Sequence, residues 1–220
     1  MAHLVAQFYD LPYDEAICML EEAHEFLVKH IQASVGGLST FSNSRWGILA
    51  KRLDVQLNSE PRPRLIEKES ERFSEAVNMT ATIERMIVGL HWFQKHEEFK
   101  HLHVKECHPS TSDDKKGGND LVLACSKNQV VVRCEVCDVA SSSAGANKKE
   151  KKDLQNLGCT DEVPQDGVHR FICTAKEFAT ALISPKRKWP KRAYRYKSED
   201  ASADTCMLRI IPRSEATAAR

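Results

Sequence analysis

The chain has 220 residues, 41% of them hydrophobic and 29% charged, with a formal net charge of +1. That size and balance suit one generous soluble domain, or one domain with an appendage, and argue against a disordered or collagen-like chain. No apolar run approaches the ~20 residues of a membrane span and no N-terminal run has the flanks of a signal peptide, so a cytoplasmic protein without membrane contact is expected.

Taken in chain order, residues 1–60 read as a helical extension. Residues 13–30 place Ala16, Leu20, Ala23 and Leu27 on one face, with Asp14 and Glu15 in the first turn. Gly36-Gly37 breaks this helix, and a second is expected from about Ser44, carrying Trp46, Ile48, Leu49, Leu53 and Leu57. The pair is expected to cover a sheet face, with a homodimer contact or DNA contact as alternatives. Pro61-Arg62-Pro63-Arg64 reads as a stiff connector.

A long helix follows over 65–96, with Phe73, Val77, Ile83, Ile87, Leu90 and Phe93 spaced near three and four. A strand is expected at 101–107, with His101 and His103 on one face, and then a Gly-containing loop at 110–118. The segment 119–138, NDLVLACSKNQVVVRCEVCD, carries the strongest local signal. Two apolar, β-branched runs at 121–125 and 130–136 flank Ser126-Lys127-Asn128-Gln129, as in a β-hairpin. With Lys127 and Asn128 as turn residues, Ser126 pairs with Gln129, and the same register sets Asp120 across from Glu135. Cβ atoms in such a pair are roughly 5 Å apart. Two carboxylates held that close repel, and a hard divalent cation such as Mg²⁺ is the usual solution. Glu135 and Cys137 share one strand face, while Cys134, Val136 and Asp138 face the other way.

Past the hairpin, a Ser/Ala/Gly/Asn-rich loop leads to a helix over 148–157 ended by Gly158. A strand over 168–174, a helix over 175–183 and a last strand over 206–211 complete the reading.

An acidic residue before one strand, an acidic residue near the end of the next and a third position two further on resembles the core motif of the restriction-endonuclease-like nucleases, Asp … (Asp/Glu)-x-Lys. Asp120 matches the first position, preceded by Asn119 where the family often has Pro, and Glu135 matches the second. Cys137 stands where the family has Lys. The resemblance covers 65–183 and implies an α/β fold of mixed α+β type, its core ordered α-β-β-β-α-β-α around a mixed central sheet. It implies a metal-dependent phosphodiesterase acting on DNA or RNA, using Mg²⁺ or Mn²⁺ held by Asp120 and Glu135, with bacterial defence or nucleic-acid processing as the setting by analogy. The family also tends to place a Glu on the first helix, for which Glu71, Glu75 and Glu84 are candidates and Glu75 is chosen as an outer metal ligand. A basic residue from the helix after the hairpin sometimes replaces the motif Lys, and Lys149 is the choice among Lys148, Lys149, Lys151 and Lys152.

Residues 184–220 are expected to form a basic, aromatic connector and a final edge strand. The run 186–197 holds seven basic residues and no acidic one. Lys186, Arg187, Lys188, Trp189, Lys191, Arg192, Tyr194, Arg195 and Tyr196 interleave cations for phosphates with rings for unpaired bases. Nucleic acid, DNA before RNA, is the expected partner.

Eight cysteines without a secretory signal are expected to be free thiols in a reducing compartment. Cys134 and Cys137 form C-x-x-C within an extended run, which would turn their sulfurs to opposite faces and disfavours a zinc knuckle. A catalytically inactive nuclease-fold protein that binds nucleic acid, and a zinc-stabilised binding protein, are the alternative functions.

Overall fold

The computed structural model describes residues 11–36, 53, 57, 61–63, 65–66, 73–110, 119–126, 129–137, 144–159, 162–183 and 194–212, without the side chains of 73–75, 126 and 144–148. Five helices and six strands lie within them. The helices are α1 (Tyr13–Val35), α2 (Phe73–Lys95), α3 (Glu97–Lys100), α4 (Ala144–Asn156) and α5 (Lys176–Ile183). The strands are β1 (Glu106–Pro109), β2 (Leu121–Ser126), β3 (Gln129–Cys137), β4 (His169–Ala175), β5 (Tyr194–Asp200) and β6 (Thr205–Pro212). The strands form one mixed sheet in the order β1-β2-β3-β4-β6-β5. β3 and β4 are parallel and every other neighbouring pair is antiparallel. The fold is therefore mixed α/β.

Helices cover both faces of the sheet. On one face α1 and α2 bury Leu20, Leu27, Ile83, Met86, Leu90 and Phe93 against Leu121, Cys134, Val136, Phe171 and Met207. On the other, α4 and α5 bury Leu154, Leu157, Phe178 and Leu182 against Cys137, Ile172, Leu208 and Ile210. The two-residue alternation of a strand accounts for this split: Cys134 and Val136 belong to the first core and Cys137 to the second. Burying one such aliphatic side chain contributes about 1.5–3 kcal/mol, and that sum over both cores is the main force holding the layers together.

α1 is flanked by Pro12 and Gly36, and the Gly36 N–H bonds back to the Gln32 carbonyl. Its apolar face packs into the α2 core, and Leu11 bridges to Cys107 of β1. Of the second N-terminal helix only Leu53 and Leu57 are described; both are helical and buried. The rest of it, including Trp46, Ile48 and Leu49, lies outside the described residues.

Several boundaries differ from the sequence expectation. The long helix is described from Phe73, while Leu65 and Ile66 are not helical and 67–72 lie outside the described residues. The strand expected at 101–107 begins only at Glu106. His96 is extended (ψ 124°), the chain makes one more helical turn in α3, and His103 takes a left-handed conformation (φ 49°), so His101 and His103 precede the strand. At the other end, the supposed connector supplies strand β5, which forms the sheet edge. The final strand, β6, is internal between β4 and β5.

Candidate functional site

The hairpin register is Ser126↔Gln129, Ala124↔Val130, Leu123↔Val132, Val122↔Arg133 and Leu121↔Cys134. Cys125 on one strand and Val131 on the other are extra residues, and the two irregularities cancel. One step beyond Leu121↔Cys134, Asp120 faces Glu135. The backbone N–H of Val136 donates to Asp120 Oδ2 at 2.6 Å. Asn119 Nδ2 donates to Glu135 Oε1 at 2.7 Å, and Arg133 Nη1 donates to Asn119 Oδ1 at 2.9 Å. Asn119 and Glu135 are buried, and Asp120 is half-buried.

The crossover from β3 to its parallel neighbour β4 runs through α4, which brings that helix over the end of β3. α4 turns Leu154 and Leu157 into the core, and its inward face also carries Glu150 and Asp153, each 1% exposed. Lys149 Nζ donates to Asp153 Oδ1 at 2.9 Å, one helical turn away. Lys151 and Lys152 are exposed.

The electrostatics follow from burial. Glu135 holds its proton far more tightly than an ordinary carboxyl, first because it is buried and then because Asp120 lies beside it. Burial also raises Asp120, while the Lys149 ammonium and the Val136 N–H oppose that rise. Asp153 is raised by burial, against the pull of Lys149. Burial disfavours the charged form of Lys149, but Asp153 and Asp120 more than offset this and strengthen its hold on the proton. Burial, then Asp153, pushes the Cys137 thiol well up, which favours its neutral form.

Four of the expected residues are thus brought to one place, namely Asp120, Glu135, Cys137 and Lys149. Glu75 lies in the first turns of α2, and its side chain is outside the described residues. Lys186, Arg187, Lys188, Trp189, Lys191 and Arg192 are likewise outside them. Tyr194 is a core residue, 3% exposed, rather than a free stacking ring, because strand alternation turns it and Tyr196 toward α4 and α5. Arg195 points away and is exposed. Tyr196 OH donates to Glu150 Oε1 at 2.7 Å, which fastens the end of the basic segment to the helix that carries Lys149. Sequence reasoning missed Asp153 and Glu150, whose only signal was two acids on the apolar side of a lysine-rich helix.

Among the described residues, no three His, Cys, Asp or Glu side chains are grouped so as to hold a metal ion. Mg²⁺ needs fewer, since it commonly takes one or two carboxylates and completes its shell with water and substrate phosphate oxygens. The C-x-x-C pair divides between the two cores, Cys134 on one face and Cys137 on the other. No family model matches this chain, and neither a curated protein nor a solved structure does.

Proposed function

We infer that the chain is a metal-dependent phosphodiesterase acting on nucleic acid, DNA before RNA, built on a restriction-endonuclease-like core. The observation that carries this reading is Asp120 against Glu135, a half-buried and a buried carboxylate from adjacent chain segments whose mutual repulsion a cation would relieve. The succession α2-α3-β1-β2-β3-α4-β4-α5, with β3 and β4 parallel, matches the expected order except for the added single turn of α3, and supports the fold assignment. Asp120 and Glu135 would hold Mg²⁺ or Mn²⁺, which polarises a phosphate oxygen and lowers the pKa of bound water. Lys149, kept charged by Asp153 and Asp120, supplies the cation that Cys137 cannot, and stabilises negative charge developing on the phosphate. Asn119 orients Glu135, and the Val136 N–H orients Asp120.

A second reading is a catalytically inactive relative that binds nucleic acid. It is favoured by one observation, the fully buried neutral thiol of Cys137 at the motif Lys position. Cleavage of single-stranded DNA, duplex DNA and RNA with Mg²⁺, Mn²⁺ or EDTA decides between them. The nuclease reading expects cutting that needs metal and is lost in Asp120→Ala and Glu135→Ala. Cutting only by Cys137→Lys marks a silenced enzyme, and cutting by neither chain leaves a binding module.

A further inference from the structure

We propose that Asp153 is a positioning residue of this site, which holds the Lys149 ammonium beside Cys137 and the carboxylate pair so that α4 delivers the charge the strand lacks. The inference rests on the nuclease reading for what the ammonium does, though not for where it is held. Its first support is geometric. Lys149 Nζ and Asp153 Oδ1 are 2.9 Å apart across one helical turn. Exposed pairs at this spacing are weak, because two long side chains must both be immobilised. Here the acid is 1% exposed and cannot leave, so the flexible lysine stem is tethered at one fixed point.

The second support is the burial of the acid: Asp153 is 1% exposed, with the Cys137 thiol as its other polar neighbour. Apolar side chains of similar volume often replace a buried ion pair with no loss of stability, so packing alone does not account for an acid here. The third is selection among near neighbours. Lys151 is exposed to solvent, whereas Lys149 is half-buried, its side chain 41% exposed and its ammonium on the buried acid. Asp120 ahead of β2, and Glu135 and Cys137 on β3, lie near enough for their charges to interact with it.

The test reads the ammonium directly in the full-length chain. A held, shielded lysine ammonium exchanges protons slowly enough to give a ¹H–¹⁵N signal, which a solvated one loses. The native chain is expected to show such a signal for Lys149, assigned by its absence in Lys149→Arg and lost in Asp153→Asn. Cleavage supplies the functional readout. Asp153→Asn is expected to lower kcat about 10–100-fold with KM little changed, and Lys149→Ala/Asp153→Asn to be no slower than Lys149→Ala. A Lys149 signal that is missing from the native chain, or that persists unchanged in Asp153→Asn, overturns the proposal. Should Asp153→Asn fail to fold, the native signal still decides it. A signal that behaves as expected in a chain that cuts nothing upholds the tether and overturns only the nuclease reading.

Discussion

Asn119 and Glu135, sixteen residues apart in sequence, are joined by a 2.7 Å hydrogen bond in which the amide nitrogen donates to Oε1. The other end of the same amide accepts from Arg133 at 2.9 Å, which fixes its orientation. This bond favours the ionised form of Glu135 and works against burial and the neighbouring Asp120, both of which favour the protonated form. Asn119→Leu removes the donor and leaves those two effects unopposed. Metal affinity is expected to fall about 10–100-fold in the variant. Titration of Mn²⁺ into both chains at pH 7.5 checks this, and equal affinities would mean that the amide is dispensable.

The same pair sets a pH dependence. A carboxyl whose folded pKa is raised binds its proton more tightly in the native state, so the fold loses stability as pH climbs above the ordinary value of 4.5. The metal-free chain is therefore expected to weaken from about pH 5 up to about pH 9 relative to Glu135→Gln. At pH 8 in EDTA the variant should be the more stable by on the order of 1–2 kcal/mol. Urea unfolding at both pH values measures it. A variant less stable than the native chain at pH 8 would show that the buried charge is compensated by groups other than a metal.

Metal reverses that sign. Binding needs both carboxylates ionised, so Mg²⁺ affinity is expected to rise with pH over the range in which the metal-free fold weakens. A cation that binds only the folded chain adds about 2.7 kcal/mol at one hundred times its Kd. Thermal unfolding at pH 8 should show a rise in Tm with MgCl₂ that is absent in Asp120→Asn and in Glu135→Gln. A rise of equal size in all three chains would place the cation elsewhere.

Two glycines separate packing from backbone conformation. Gly89 lies in α2 where the helix crosses the sheet, and a Cβ there would meet Leu121 Cδ1 at 3.5 Å and Cys173 Sγ at 3.8 Å, ordinary contact distances. Gly89→Ala is therefore expected to stabilise by about 0.5–1 kcal/mol, the helix preference of Ala over Gly. Gly158 ends α4 at φ +73°, where a side chain is strained. Gly158→Ala should destabilise by about 1 kcal/mol. Chemical denaturation of the two variants checks the opposite signs, and a shared sign would show that helix crossing or cap geometry has been misjudged.

What was legible in the sequence follows from range. The hairpin could be read because Ser126–Gln129 is a local turn, and the register arithmetic survived because the extra residues Cys125 and Val131 offset each other. Lys149 was singled out by the family resemblance alone, and the crossover helix between parallel strands is what returns it over the sheet. The start of β1 could not be read, since the left-handed turn at His103 carries no glycine to mark it. Asp153 was hidden because an acid among lysines reads as a solvated face, and only the tertiary burial of α4 distinguishes it. Tyr194 was misread for the converse reason: its basic neighbours suggest exposure, while strand alternation turns alternate side chains to opposite sheet faces.

That alternation also gives Tyr196 a mechanical role. Its ring packs on the second core, and its hydroxyl donates to Glu150, an acid 1% exposed on the inward face of α4. Tyr196→Phe keeps the ring and deletes this donor to a buried carboxylate. A cost of about 1–3 kcal/mol is expected. Because Glu150 adjoins Lys149 in sequence, loosening this tie should also loosen the helix segment that presents the lysine. Hydrogen exchange over α4 should then quicken in Tyr196→Phe, while β2 and β3 keep their protection. Uniform quickening across the sheet would instead make Tyr196 a general stabiliser with no particular link to the site.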